Sequence, residues 1–225
     1  MLAVVGMCAG ITQAQEKPDL TNPKQRISYT IGADIGANLK RQEIDVDPKA
    51  FAAGLADAIA GKTALTEEQM REVLNSFRTE MMEKAQARQK EAGEKNLKEG
   101  EAFLAANAKK EGVKTLPSGL QYKVLKSGSG KTPKATDTVK THYHGTLIDG
   151  TVFDSSVERK EPVSFPVNGV IAGWTEALQL MKEGDKWQLF IPAKLAYGER
   201  GAGPKIGPNA TLVFEVELLS VETGK

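Results

Sequence analysis

Apolar side chains recur at helical spacing through the first third of the chain. In residues 25–40 they fall at every fourth position, and two further runs follow before residue 82. Spacings of three and four residues place side chains on one face of an α-helix, so each run predicts an amphipathic helix. The three apolar stripes are Ile27, Ile31, Ile35 and Leu39; Phe51, Leu55 and Ile59; and Met70, Val73, Leu74, Phe77 and Met81.

Capping residues mark the ends of the second and third helices. Asp47 precedes Pro48, the arrangement of an N-cap followed by proline at the first helical position, and Gly61 follows as a C-terminal cap. Thr66 is followed three residues later by Gln69, which is the spacing of a capping box. The sequence therefore predicts a second helix between Pro48 and Gly61 and a third that opens after Thr66.

The third helix continues beyond its apolar stripe. Helix-forming residues run on to about Lys109, and from Glu83 to Gly100 the only large apolar residue is Leu97. Counted from Thr66, such a helix would be about 65 Å long at 1.5 Å per residue. Because it is polar all round, we expect it to connect two bodies. Gly93 and Gly100 are candidate bending points, since glycine costs about 1 kcal/mol in a helix.

The amphipathic helices contain few residues for an independent core. Together they total about 60 residues, a size at which a domain buries a modest share of its surface. Met70 and Met81 lie in or beside the stripe with Met82, and methionine adapts well to a second apolar surface. We predict a homodimer formed through residues 20–82. A self-contained small bundle is the alternative.

After residue 112 the apolar period changes from helical to alternating. Most of the 22 glycines and 10 prolines lie in this half, which is typical of short strands joined by turns. Asp149-Gly150 is a hairpin turn signal between two alternating runs. The alternating residues are Leu120, Tyr122 and Val124; Val139, Tyr143 and Leu147; Val163 and Phe165; Trp187, Leu189 and Ile191; and Leu212, Phe214, Val216 and Leu218.

One helix interrupts these strands, at residues 170–181. Trp174, Leu178 and Met181 follow one another at spacings of four and three and share a face, and Gly184 is expected to cap the end. An indole at this place is either plain core or the floor of a pocket. The predicted fold class is α+β: an N-terminal helical dimerisation domain, a long connecting helix and a C-terminal antiparallel sheet wrapped on one helix.

Composition limits the partners and the compartment. The net charge is +1, with 30 basic and 29 acidic residues, so we expect no nucleic-acid partner. No stretch reaches the roughly 18 to 20 apolar residues of a membrane span. Residues 1–14, with an apolar run around Cys8, are typical of a secretory leader without its basic start. We predict a periplasmic, outer-membrane or cell-surface location; a disordered or buried N-terminus is the alternative reading.

Other local patterns carry little chemistry. His142 and His144 share a strand face and could hold a metal, but with no further histidine we expect a solvated pair. Asp154-Ser155-Ser156 has no nearby base that would make it a hydrolase triad. The glycine-rich residues 198–203 lead into prolines rather than a helix, so they indicate a mobile flap and not a phosphate loop. We expect neither a metal nor a cofactor.

Five segments of the strand half resemble the FKBP-type peptidyl-prolyl isomerases over about 110 residues in order. They are residues 143–145, 149–156, 170–174, 195–198 and 210–218. The N-terminal half, with residues 28–32, 44–46 and 116–122, is similar to the macrophage infectivity potentiator (Mip) branch. That branch implies exported homodimers whose long helix carries the isomerase domain. The expected domains are a leader at 1–14, a helical dimerisation region at 15–65, the long helix at 66–112 and the isomerase domain at 113–225.

The resemblance implies a proline-binding pocket with Trp174 as its floor. It implies that Tyr143, Asp154 and Tyr197 are catalytic, with Asp154 oriented by Tyr143 and Arg159. The Ile171 backbone N–H and the Tyr197 hydroxyl are expected to bind peptide carbonyls. The substrate-binding residues that it implies are Phe153, Arg159, Val163, Val170, Ile171, Trp174, Ile206 and Phe214. Taken singly, Phe153, Trp174 and Phe214 would more often be core, and Asp154 could simply cap its turn.

The expected activity is rotation about X–Pro bonds in exported proteins. That rotation breaks amide resonance, and an apolar pocket favours the less polar, twisted amide. Proline-containing polypeptides are the expected partners, and macrolides of the rapamycin type are expected inhibitors, although Val163 stands where many relatives carry phenylalanine. The alternative function is a dimeric chaperone or surface binding protein with a weakly active pocket.

Overall fold

The computed structural model describes residues 17–222, so the predicted leader and Cys8 lie outside the described residues. The chain divides between Val73 and Leu74 into two compact units, called here the N-terminal and C-terminal units. The described elements are α1 (Pro23–Arg41), α2 (Pro48–Ala60), α3 (Glu67–Asn107), β1 (Val113–Thr115), β2 (Gln121–Lys126), β3 (Thr138–Leu147), β4 (Val152–Ser155), β5 (Val163–Pro166), α4 (Ala172–Leu178), β6 (Lys186–Ile191) and β7 (Leu212–Glu222).

The predicted caps of the helices are confirmed. The Asp47 carboxylate accepts from two backbone N–H groups of the first turn of α2, and Gly61 ends that helix in the left-handed conformation with φ 67°. Thr66 and Gln69 form a reciprocal capping box: Gln69 Oε1 accepts from the Thr66 N–H at 2.9 Å, and Thr66 Oγ1 accepts from the Gln69 N–H at 3.2 Å. Local side-chain chemistry therefore sets these helix ends.

Helices α1 and α2 bury none of their residues within the chain. Ile27 and Ile31 of α1 are 61% and 56% exposed, and Leu55 of α2 is 55% exposed. An amphipathic helix is normally stabilised by burying its apolar stripe. These stripes are largely open in the single chain, although Ile35 and Leu39 of α1 are partly buried.

None of the helices within residues 17–222 is both long enough and apolar enough to cross a membrane.

The polar part of α3 belongs to the C-terminal unit and packs within it through small and polar residues. Gly93, Gly100 and Asn107 are buried, at intervals of seven residues that put them on one helix face. A Cβ at Gly100 would lie 2.3 Å from Thr211 Oγ1, so only glycine fits there. The Asn107 amide donates to Gln121 Oε1 at 3.0 Å. The two glycines thus allow close packing against residues 208–211, and α3 continues through both as one helix.

The C-terminal unit is a seven-stranded antiparallel sheet, counted over the described residues. Its strand order is β1-β2-β6-β7-β3-β4, with β5 pairing with β3. The long central strands β3 and β7 pair from Thr138 opposite Glu222 to Leu147 opposite Leu212. The predicted hairpin at Asp149-Gly150 joins β3 to β4, and Gly150 has a positive φ of 87°. The α+β fold class is confirmed.

Helix α4 lies on the inner face of this sheet and is shorter than residues 170–181. Trp174, Leu178 and Met181 are all buried, as their spacing predicts. The helix ends at Leu178, and Gly184 is not its cap. Gly184 lies instead in the turn before β6, where its N–H donates to the Leu218 carbonyl at 2.8 Å. The Asp185 carboxylate accepts from the Lys182 N–H at 2.7 Å and so shapes this turn.

Candidate active site

Above α4 lies a cavity of about 750 Å³ that is walled largely by aromatic and aliphatic side chains. Strands β3, β4, β5 and β7, the first turn of α4 and the loop between β6 and β7 all contribute. The lining residues are Tyr143, Phe153, Asp154, Phe165, Gly169, Val170, Ile171, Trp174, Tyr197, Ala202, Gly203, Pro204, Lys205, Ile206 and Phe214. A volume of this size suits a short peptide segment or a drug-sized molecule.

The indole of Trp174 forms the floor and is held by rings on three sides. Its centroid lies 5.5 Å from that of Tyr143, 5.9 Å from Phe165 and 5.3 Å from Phe214, each ring meeting it edge-on. Edge-to-face contacts at these distances are favourable for aromatic pairs. Trp174 is 4% exposed, and its Nε1 has no hydrogen-bond partner within the described residues. The floor is therefore a buried indole packed between aromatic rings.

Gly145 of β3 makes room for two of the rings. A Cβ at this position would lie 2.7 Å from the Phe153 ring and 2.8 Å from the Phe214 ring. Those two rings meet each other edge-on with centroids 5.3 Å apart. The glycine of the Tyr143-His144-Gly145 motif is thus required by close approach, and any side chain there would displace the cavity wall.

Asp154 lies in the wall and is held by two donors. The Tyr143 hydroxyl donates to Asp154 Oδ2 at 2.5 Å, and the Arg159 guanidinium donates to Asp154 Oδ1. Arg159 also donates to the Tyr143 hydroxyl oxygen at 2.9 Å, which closes a three-residue network. The family resemblance implied this arrangement. Because both carboxylate oxygens accept hydrogen bonds, the orientation of Asp154 is fixed.

The network also sets the ionisation of its members. Partial burial raises the pKa of the Asp154 carboxyl, but hydrogen bonds from Tyr143 and Arg159 outweigh it and leave the pKa below its usual 3.8. Burial, reinforced by the hydrogen bond to Asp154, raises the pKa of the Tyr143 phenol above its usual 10.0. At neutral pH the site therefore holds a carboxylate, a neutral phenol and a guanidinium, whose charges balance locally.

Tyr197 and the flap, defined as residues 201–207, form the open side of the cavity. Tyr197 is 42% exposed and lies in the loop between β6 and β7. Ala202 and Ile206 pair across the flap, with N–H to carbonyl distances of 2.8 Å and 3.2 Å. Lys205 Nζ donates to the Val152 carbonyl at 3.0 Å, which ties the flap to β4. The glycine-rich residues 198–203 thus begin with one 3-10 turn at Gly198–Arg200 and continue into the short hairpin of Ala202 and Ile206.

Most of the residues implied by the family resemblance come together here. The cavity is lined by Tyr143, Phe153, Asp154, Val170, Ile171, Trp174, Tyr197, Ile206 and Phe214. Arg159 does not line the cavity but supports Asp154 from outside. The Ile171 residue is the N-cap of α4, and its N–H makes no hydrogen bond within residues 17–222. That N–H is therefore available to a ligand carbonyl.

One other member of this set lies outside the cavity lining. Val163 does not line the cavity; it packs against the core beside β3, and Phe165 lines the cavity instead. Both residues lie on the same face of β5 because strand side chains alternate with a period of two. The Phe165 ring reaches to 6.0 Å from the Tyr143 ring. The alternation was visible in the sequence, but it does not tell which of the two side chains meets Trp174.

The two histidines lie outside the cavity. His142 Nδ1 is 3.1 Å from Ser156 Oγ, and His144 Nδ1 is 3.0 Å from Ser155 Oγ. Within the described residues there is no group of three histidine, cysteine or carboxylate side chains suited to a metal ion. The two serines that follow Asp154 thus form hydrogen bonds with the histidines of β3.

Two family descriptions match the chain in succession. Residues 24–124 match the domain amino terminal to FKBP-type peptidyl-prolyl isomerase. Residues 129–219 match the FKBP-type peptidyl-prolyl cis-trans isomerase, and this stretch contains every residue of the cavity.

Individual relatives match nearly the whole chain. The outer membrane protein MIP of Legionella longbeachae is 48% identical over 222 residues, which cover 98% of this chain and 95% of that protein. The FKBP-type 22 kDa peptidyl-prolyl cis-trans isomerase of Escherichia coli strain K12 is 48% identical over 205 residues, with coverages of 91% and 98%. The crystal structure of FkpA from Escherichia coli aligns with a TM-score of 0.75 at 43% identity and covers 91% of this chain and 99% of that one. The likeness and the ring-lined cavity agree: this chain belongs to the FKBP-type peptidyl-prolyl cis-trans isomerases, with Mip proteins among its relatives.

Proposed function

We propose that the cavity above Trp174 is where this chain rotates X–Pro bonds of polypeptides. The observation that carries the proposal is the buried indole floor surrounded by Tyr143, Phe165 and Phe214. A proline ring is compact and apolar, and such a cup holds it by burying its surface. The amide that precedes the ring then lies at the open side, next to Tyr197 and the flap.

The chemistry needs no proton transfer. Rotation about the X–Pro bond is slow because resonance must be broken, with a barrier of about 18–20 kcal/mol for a peptide bond. The twisted amide carries less charge separation than the planar one, so moving it from water into an apolar cavity favours the transition state over the ground state. An enzyme that binds the twisted form more tightly than the planar form accelerates rotation in both directions.

Polar groups at the rim supply orientation in this proposal. The Ile171 N–H and the Tyr197 hydroxyl bind the carbonyls that flank the proline, and the cavity then holds the peptide in its twisted form. Asp154 acts as a fixed dipole at the wall and not as a base, because its low pKa and its two donors keep it ionised and occupied. Tyr143 and Arg159 hold Asp154 in place.

Replacement of Tyr197 by phenylalanine tests this assignment. Loss of one hydrogen bond to the transition state is expected to lower kcat/KM for a short X–Pro peptide by about three- to tenfold. The free energy of unfolding is expected to stay unchanged, because Tyr197 is 42% exposed. Cis–trans exchange is measured in a protease-coupled assay or by NMR. The matched control is Tyr29→Phe, a second exposed tyrosine outside the cavity.

Two results would contradict the proposal. A wild-type chain that does not accelerate exchange would remove the enzymatic function. Tyr197→Phe with the activity of Tyr29→Phe would remove the role of the hydroxyl.

The same assay tests rapamycin-type macrolides as inhibitors, which we expect to compete with the peptide for the ring-lined cavity. In this proposal Phe165, which lines the cavity, offers such a molecule the aromatic contact that valine at position 163 cannot make.

We also propose that the chain is a homodimer through residues 20–82. Support comes from the apolar side chains of α1 and α2, which are exposed in the single chain. The domain limits expected from the sequence remain a prediction. In that prediction the N-terminal helices of two copies pair with each other, and the isomerase domain follows α3. The expected effect of disrupting this pairing is argued in the Discussion.

An exported location is proposed on two grounds. Residues 1–14 have the apolar run of a leader, and the relative from Legionella longbeachae is described as an outer membrane protein. We expect the mature chain in the periplasm or at the cell surface, where it would assist the folding of exported proteins. Fractionation of cells that express the full chain measures this, and a product retained in the cytoplasm with its first residues intact would contradict it.

A further inference from the structure

The return segment of the flap loop, defined as residues 207–211, lies against α3. The Asn96 side-chain amide donates to the Pro208 carbonyl at 2.8 Å. Gly93, one turn earlier on the same face, lets the segment come close: a Cβ there would lie 3.3 Å from Asn209 Nδ2 and 3.4 Å from Pro208 Cβ. Asn96 does not line the cavity. The helix thus holds the loop from the side away from the substrate.

The return segment is in turn bonded to the residue that follows Tyr197. The Asn209 N–H donates to the Gly198 carbonyl at 2.8 Å, with Asn209 in the left-handed region at φ 55°. Between these two points the chain forms the hairpin in which Ala202 and Ile206 pair, and both line the cavity. One chain of contacts therefore leads from Asn96 through Pro208 and Asn209 to Gly198 and the neighbouring Tyr197.

The Asn96 hydrogen bond is the shorter of two side-chain bonds between α3 and the return segment; the other runs from Asn209 Nδ2 to the Gly93 carbonyl at 3.5 Å. Loops that carry binding residues are the parts of a fold that open most readily, and a small displacement of a positioning group lowers the rate of reaction. The Pro208 carbonyl is an acceptor at a half-buried contact, and the Asn96 amide is the donor that satisfies it. When the donor is removed, the Pro208 carbonyl must take its hydrogen bond from water, and we expect the loop to shift toward solvent.

We propose that Asn96 is a positioning residue for the isomerase reaction, which fixes Tyr197 and the flap from outside the cavity. The proposal rests on the proposed function of the cavity. It assigns to the polar part of α3 a second role beside connecting the two parts of the chain: its face with Gly93, Asn96 and Gly100 is the rear support of the substrate loop.

The test compares Asn96→Ala and Asn96→Asp with Lys98→Ala. Aspartate keeps the shape of asparagine but removes the donors, and Lys98 is an exposed control on the same helix. Both Asn96 variants are expected to lower kcat/KM by about two- to tenfold, the range for one lost hydrogen bond. Hydrogen exchange at the amides of Ala202, Ile206 and Asn209 is expected to speed up, while amides of β6 and β7 keep their rates.

Specific results would overturn the proposal. It fails if both Asn96 variants match Lys98→Ala in kcat/KM and in loop exchange, or if loop exchange rises while kcat/KM does not fall. It also fails if Asn96→Asp is as active as wild type while Asn96→Ala is not, since that result would assign a packing role. A wild type without turnover would instead refute the proposed function, and the exchange rates would then decide alone whether Asn96 holds the loop.

Discussion

Replacing Gly100 by alanine is expected to destabilise the C-terminal unit, although the same change at an exposed helix position stabilises by about 1 kcal/mol. The reason is that the new methyl would lie 2.3 Å from Thr211 Oγ1, closer than the two atoms can approach, and 3.1 Å from Thr211 Cβ, which is a tight contact. Thr211 is 5% exposed and has little freedom to move away. We expect a loss of about 1–3 kcal/mol in the free energy of unfolding, the usual cost of overpacking.

A double-mutant cycle separates this clash from any effect on the helix itself. In the Thr211→Gly background the methyl meets no side chain, so Gly100→Ala is expected to be neutral or stabilising. Lys98→Ala serves as the control for a substitution on the exposed face of α3. The measurement is urea unfolding of all variants. An unchanged or raised stability of Gly100→Ala in the wild-type background would show that α3 is not packed on Thr211.

Introducing a charge at Leu55 is expected to dissociate the proposed homodimer. Leu55 lies in the middle of α2 and is 55% exposed in the single chain, so a partner is needed to cover it. Full burial of a leucine contributes about 1.5–3 kcal/mol, whereas burial of an unpaired carboxylate costs much more. Since a symmetric dimer contains the substitution twice, Leu55→Glu is expected to be monomeric at micromolar concentration.

Sedimentation equilibrium measures this result directly. Lys49→Glu introduces the same residue into the same helix at an exposed polar position and is expected to remain dimeric. Isomerase activity on a short peptide is expected to survive in both variants, because the cavity is built wholly from residues after 142. A monomeric wild-type chain would contradict the dimer. The exposed apolar stripes of α1 and α2 would then favour the second function, a surface that binds unfolded clients.

Elements governed by neighbouring residues could be predicted from the sequence. The caps at Asp47, Gly61 and Thr66 lie where their side-chain chemistry put them, because a cap bonds to backbone groups within one turn. The turn at Asp149-Gly150 follows the same logic. The residues of the cavity were named through a family resemblance, since nothing local to Trp174 distinguishes a pocket floor from a core.

Features that depend on distant neighbours could not be predicted. Gly93 and Gly100 lie against Pro208 and Thr211, which are more than a hundred residues further along the chain. Nothing near the two glycines in the sequence indicates these neighbours. The same holds for the contact with Trp174, which Phe165 makes and Val163 does not. Both side chains lie on one face of β5, and only the position of α4 determines which of them meets the indole.

The sequence by itself determined the helix ends, the alternation of the strands and, through its motifs, the family. These depend on hydrogen bonds and side-chain directions within a few residues, so they need no contact with distant parts of the chain. The tertiary structure alone decided that Asn96 of α3 bonds to the Pro208 carbonyl and that Gly100 lies against Thr211. Such contacts join residues distant in sequence, and they form only when the sheet and helices are packed to atomic density.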